Sequence, residues 1–269
     1  MSANLNEIIK IIINKLKNKE FDFALKKTND LLEAHTNNDF LWNLKGYIFQ
    51  YKNNLLEAIS CFKSALKINP ENIEARNNLG LSYQNANKLE LANECFNECI
   101  KIDPNYLNSL FNLAKLKVIT NHIGEAILLF ERVIKINKNF EMIYIHLAQA
   151  YQNNRQFDKA EKILSTALKK FPLLTKADKL LSMQTNYVNN DKHLNSMLEK
   201  IKNHKLSDDK KIDLLFAIGK AYEDKKEISK SFDFYSKGNF LKKKKIEFNI
   251  NNQKKLFNII KKKFFKFKN

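Results

Sequence analysis

Only three prolines and five glycines occur among the 269 residues. So few breakers leave room for little besides helix, and no stretch alternates apolar and polar residues as a half-buried strand would. Long apolar runs are missing too. No segment approaches the ~20 apolar residues of a membrane-spanning helix. The run from Ile8 to Ile13 is too short for a secretory leader and lacks its small-residue cleavage site. The cytoplasm is the expected location. The three cysteines, Cys61, Cys95 and Cys99, are an odd number, which argues against a disulfide framework. Cys95 and Cys99 stand one helical turn apart, but no further ligand is near them in sequence. They read as core packing, and no metal is expected.

Arginine is scarce as well. Arg76, Arg132 and Arg155 are the only arginines among 47 basic residues, although the formal net charge is +18. From Lys242 onward eleven lysines face the single acid Glu247, so the tail alone carries +10. Specific nucleic-acid readers rely on the planar fork of arginine, and nucleic acid is not the expected partner. The lysine excess reads as drift of surface positions in a chain also rich in Asn and Ile.

Catalytic motifs are absent. No glycine cluster forms a phosphate loop, the five histidines include no H-x-x-x-H pair, and the acids are scattered along polar faces. Neither a catalytic residue nor a cofactor site is expected.

What is present is a period. Pro70, Pro104 and Pro172 are 34 and then 68 residues apart. At that period Gly46, Gly80, Ala114, Ala148 and Ser182 fall in one column, and Ala58, Ala92, Ala126 and Ala160 in another. Two small columns mark where two helices cross closely. Phe62, Phe96, Phe130 and Leu164 in the second helix, and Leu79, Leu113 and Leu147 in the first, supply the core. Each proline closes a second helix, because the residue before it is pushed out of the helical region. Lys138 stands where a fourth proline would sit.

The set Trp42, Gly46, Ala58, Phe62, Ala65 and Pro70, followed by Leu79, Gly80, Tyr83, Ala92, Phe96 and Pro104, resembles the tetratricopeptide repeat. Lys45, Cys99 and Val133 depart from its pattern. The resemblance implies an all-α, right-handed α-solenoid of helix-turn-helix units that binds protein or peptide rather than performing chemistry. The expected organisation is a degenerate N-terminal capping repeat at 1–38, with Thr28 where an aromatic is usual, and four regular units at 39–174. A degenerate unit at 175–208 comes next, in which Leu194 fills the second small column. A last repeat at 209–245 is three residues out of register, and a Lys/Phe-rich amphipathic tail covers 246–269.

In that family the first helices line a concave groove, and one of their columns holds extended peptide backbone. Here the column reads Leu44, Asn78, Asn112 and His146, with Asn43, Asn77, Lys115 and Gln149 beside it. A side-chain amide both donates and accepts, which suits the alternating groups of a peptide. A solvated helix face is the alternative. The paired Lys and Arg residues that clamp a C-terminal carboxylate in some members are not laid out here.

A second resemblance covers 214–224, 235–239 and the lysine-rich stretch to Phe257, which look like the segment joining repeats to the catalytic domain of bacterial repeat-containing sulfotransferases. The donor-binding loop of that family has no counterpart before Asn269, so the chain as it stands is not expected to be an enzyme. The apolar tail residues Leu256, Phe257, Ile259, Ile260, Phe264, Phe265 and Phe267 call for a partner surface. That surface is a sulfotransferase-type catalytic domain, an anionic membrane, or the final repeat itself. A free-standing basic adaptor that uses its tail on an anionic surface, membrane or nucleic acid, is the rival reading.

Overall fold

The computed structural model describes residues 3–189, 191–245 and 257. The tail assignment at 246–269 therefore lies outside the described residues, apart from Phe257. The described residues form fourteen helices and no strand. None of these helices is long and apolar enough to cross a membrane. Two compact units are present, residues 1–156 and 157–269.

The first unit holds α1 (Ala3–Lys17), α2 (Phe21–Ala34), α3 (Asp39–Tyr51), α4 (Leu55–Ile68), α5 (Ile73–Asn85), α6 (Leu89–Ile102), α7 (Leu107–Ile119), α8 (Ile123–Ile136) and α9 (Glu141–Asn153). First helices start at 39, 73, 107 and 141, and second helices at 21, 55, 89 and 123, so the 34-residue step is kept without slippage. Within each pair a short turn reverses the chain. That turn has a repeated cause. Lys19, Asn53, Asn87, Asn121 and Arg155 all have positive φ, near +60°. Each closes a Schellman motif, as where Asn53 N–H donates to Gln50 O and Asn54 N–H to Phe49 O. Asparagine tolerates this left-handed backbone better than other non-glycine residues. The stops behave as proline demands, with α4 and α6 ending at Ile68 and Ile102, two residues before Pro70 and Pro104. Two of the three arginines brace those corners. Arg76 donates to Pro70 O and Arg132 to Pro104 O.

The small columns mark the crossings. A Cβ built on Gly46 would lie 2.6 Å from the Phe62 ring, and one on Gly80 2.6 Å from the Phe96 ring. Glycine is required there because an aromatic ring occupies the space a side chain would need. Phe62, Phe96, Ala58 and Ala92 are fully buried in one core with Leu79, Tyr83, Cys95 and Leu113. The departures from the repeat pattern also have structural roles. Lys45 lays its ammonium 5.2 Å from the Trp42 ring centre. Buried Cys99 points its thiol at Ile73 O, and buried Thr28 donates its hydroxyl to Ala24 O at 2.8 Å.

The second unit holds α10 (Phe157–Lys170), α11 (Thr175–Gln184), α12 (Asp191–Ile201), α13 (Asp208–Asp224) and α14 (Ile228–Lys245). α11 and α12 still begin on the 34-residue step, but α11 stops early, at an extended Thr185. The three-residue offset of the last pair arises inside α13, which is 17 residues long against 13 for α3, α5, α7 and α9. α13 starts one residue before the 34-residue step, and its four extra residues are close to one turn, so the packing face is nearly restored. Gly219 again meets an aromatic sixteen residues on, its Cβ position 2.8 Å from Tyr235. Ser231 takes the second small position and donates to Gly219 O at 2.9 Å.

Candidate functional site

In the first unit α3 touches α5, α5 touches α7 and α7 touches α9. No comparable run of contacts joins the second helices, so the first helices line the inside of the stack. Across α1, α3, α5 and the start of α7 their side chains enclose a groove of about 550 Å³. Asn43, Asn77 and Asn78 lie in its lining, together with Leu44. Asn112 is buried beside them and donates to Asn77 Oδ1 at 3.0 Å, where Ser109 Oγ also donates at 3.0 Å. Asn112 therefore steadies the groove floor from the next repeat. Lys115, His146 and Gln149 are not in this lining. Lys115 sits over the Phe111 ring at 5.6 Å, and His146 stacks on Phe130 with centroids 5.8 Å apart. Gln149 is a half-buried residue of α9.

The asparagines form a staggered ladder from one first helix to the next. Asn78 Nδ2 donates to Asn43 Oδ1 at 3.0 Å, as Asn112 does to Asn77. That bond uses one donor of Asn78 and the oxygen of Asn43. Among the described residues the Asn43 amide donors and the Asn78 oxygen have no protein partner. One amide pair thus offers both a donor and an acceptor to the groove.

The sequence reading missed the aromatic wall. Phe21, Phe40, Tyr47, Tyr51 and Tyr106 line the same groove. Tyr51 is 58 % exposed, far more than an aromatic packed into a core. The Tyr47 and Tyr51 hydroxyls are 3.0 Å apart and their rings meet edge-on at 4.8 Å, while Phe21 stacks on Tyr51 at 5.9 Å. Burial, and next the hydroxyl of Tyr51, push Tyr47 up to about 12. The wall therefore presents neutral phenols at ordinary pH. The signal was available in the sequence, since Phe40, Tyr47 and Tyr51 fall on the same helical face as Asn43 and Leu44.

The thiols have no part in this surface. Burial raises Cys61 to about 11 and Cys95 to about 12, so both remain protonated core groups. Among the described residues no group of three or more His, Cys, Asp or Glu side chains could hold a metal ion.

The second unit contains a different polar cluster. Asp178 on α11 is fully buried and accepts from Lys200 at 2.7 and 2.9 Å and from His193 Nε2 at 3.1 Å, both on α12. His193 Nδ1 lies 2.6 Å from the hydroxyl of Tyr187, itself fully buried. Each of these groups has a partner inside the protein, so the cluster joins elements rather than binding a ligand.

Models of the tetratricopeptide repeat match residues 46–87, 73–106 and 118–183. Those segments carry the tetratricopeptide repeat pattern. Solved structures agree on the fold. The C-terminal part of a tetratricopeptide-repeat protein from Cytophaga hutchinsonii superposes with a TM-score of 0.64 at 14 % identity, over 86 % of this chain and 94 % of that one. A tetratricopeptide repeat protein from Parabacteroides merdae gives 0.61 at 16 %, over 93 % and 96 %. YrrB, described as a tetratricopeptide protein with an unusual peptide-binding site, gives 0.52 at 13 %, over 77 % and 96 %. No curated protein matches the chain. At these identities the tetratricopeptide neighbours speak to the fold and not to a shared ligand.

Proposed function

We propose that the chain is a protein- or peptide-binding scaffold, cytoplasmic and without a catalytic site of its own, whose site is the α1–α7 groove. The observation that carries this reading is the Asn43–Asn78 pair. It presents an unused donor and an unused acceptor beside a partly exposed aromatic wall, which is what an extended backbone with bulky side chains needs. Hydrogen bonds to amides supply register, and Tyr and Phe surfaces supply most of the affinity. The peptide site described for YrrB supports the reading by analogy of fold. Random peptides displayed on phage, selected on the wild-type protein and then tested on Tyr47→Ser/Tyr51→Ser and Asn43→Ala/Asn78→Ala variants of unchanged helicity, provide the test. Loss of binding in both is expected, and unchanged binding contradicts the assignment. Asn112 is excluded from these variants because it is buried under Asn77.

A finer reading makes the array the repeat module of a sulfotransferase-type protein. It rests on the likeness at 214–224 and 235–239. A separately encoded sulfotransferase that co-purifies with the chain would support it, and failure of any such domain to bind in a purified mixture would oppose it. The rival adaptor reading draws on the lysines at 242–245 that end α14. Retention on anionic vesicles that falls steeply with salt, and is lost on removing residues 242–269, would favour it.

A further inference from the structure

The groove has a charge pattern as well as a shape, and that pattern can select among ligands only if the groove is a peptide site, as proposed. The first helices are separated by reversing second helices, so α1, α3, α5 and α7 run the same way. Their first turns lie along one edge of the groove and their last turns along the other. Lys17 is in the last turn of α1 and Lys19 in the turn just after it, whereas Glu74 is in the first turn of α5. All three line the groove.

The charges around them are spoken for. Lys15 pairs with Glu20 at 2.9 Å, Lys52 with Asp22 at 2.5 Å, and Arg76 with Glu98. Lys45 lies over Trp42, and Asp39 accepts from the amides of Asn69 and Asn72. Lys17, Lys19 and Glu74, by contrast, take part in no ion pair among the described residues. The groove therefore carries two unneutralised lysines at one edge, an unneutralised carboxylate at the other, and neutral phenols and amides between them.

We infer that the occupant is an internal, extended segment of a partner protein in which a bulky apolar residue is flanked by acidic side chains on one side and basic side chains on the other. The acids meet Lys17 and Lys19, the base meets Glu74, and the apolar residue rests against Tyr47 and Tyr51. An internal segment fits better than a chain end, because the two charges at opposite edges require the peptide to continue past the amides in both directions. Such complementarity selects among peptides that the aromatic wall alone would accept equally.

The probes are four short peptides, acetylated and amidated at their ends, built around Gly-Phe-Phe-Gly. Their flanks are two Asp on one side with two Lys on the other, four Asp, four Lys, or four Ser. Fluorescence anisotropy at low ionic strength should show the Asp/Lys peptide binding about tenfold tighter than the Ser peptide, a difference that salt erodes. Lys17→Glu/Lys19→Glu should move the preference to the all-Lys peptide, and Glu74→Lys should move it to the all-Asp peptide. All three side chains are on the surface, and circular dichroism should show unchanged helicity. Equal binding of the Asp/Lys and Ser peptides, with both variants unaltered, would overturn the charge pattern and leave the groove a shape-selective peptide site. Binding of none of the four by the wild type would overturn both.

Discussion

Residues 39–136 and residues 175–224 join their helices by different means. In the first stretch the buried joints are apolar or neutral, with a ring of Phe62 or Phe96 lying on a bare glycine and amides passing between first helices, and the ion pairs Arg76–Glu98 and Lys117–Glu125 have exposed carboxylates. In the second, α11 and α12 are tied through Asp178, Lys200 and His193, with Tyr187 closing the cluster. The glycine crossing demands close approach and therefore a strict period. A lysine reaches several ångströms beyond its backbone, so a charged joint tolerates helices that stand apart, and Leu194 is free to pack on α13. Formal charge differs in the same sense. Residues 1–156 hold 19 basic and 16 acidic residues, net +3, and residues 157–269 hold 28 and 13, net +15. The regular stretch is near neutral overall, so individual unpaired charges in its groove can discriminate between ligands.

The largest effect should come from the charged joint. Asp178→Ala leaves Lys200 and His193 without their acceptor and should cost about 3–5 kcal/mol in urea unfolding. Asp178→Leu combined with Lys200→Met should recover part of that loss, since His193 Nε2 still lacks its acceptor. A cost below about 1 kcal/mol for the single change would mean that the cluster is not the joint. Gly80→Ala tests the other kind of joint. Its new Cβ meets Phe96, and about 1–3 kcal/mol should be lost by the same assay. Gly124 is the internal control, since a Cβ there meets nothing within 4 Å, and Gly124→Ala should be neutral or stabilising by up to about 1 kcal/mol. Equal effects at the two glycines would remove the case for a close crossing.

Asn77→Ala separates floor from wall. It removes the acceptor shared by the Ser109 hydroxyl and the Asn112 amide and should cost about 1–3 kcal/mol, whereas Tyr51→Ser should leave stability almost unchanged and weaken peptide binding. A further effect is in the pH dependence. Burial raises Cys61 and Cys95 above 9, so between pH 9 and about 11 or 12 the folded protein holds protons that the unfolded chain has released. Stability should fall as pH rises through that window, and the slope should be shallower in Cys61→Ala/Cys95→Ala. A slope unchanged by the substitutions would place these thiols in contact with water.

Much of the architecture was legible because it repeats. The glycine column, the prolines and the aromatics sixteen residues beyond Gly46, Gly80 and Gly219 are visible to anyone who lays the chain out at its period. The turn residues Asn53, Asn87 and Asn121 repeat just as faithfully but are hidden among many asparagines, and only their positive φ separates them. The Asp178 cluster was not legible. Its members are 15 and 22 residues apart in no repeated spacing, and they meet because α11 ends short. The groove lay between these cases. Asn43, Asn77 and Asn78 come from the helical face, but the accessibility of Tyr47 and Tyr51 depends on α1 leaving that side of α3 uncovered.

Hydrogen exchange of the full chain with and without the Asp/Lys-flanked peptide tests the central claim most directly. The account predicts slowed exchange in residues 39–51 and 73–85, the α3 and α5 segments that hold the asparagine pair and the tyrosine wall. Protection confined to residues 157–245, with α3 and α5 unchanged, would contradict it.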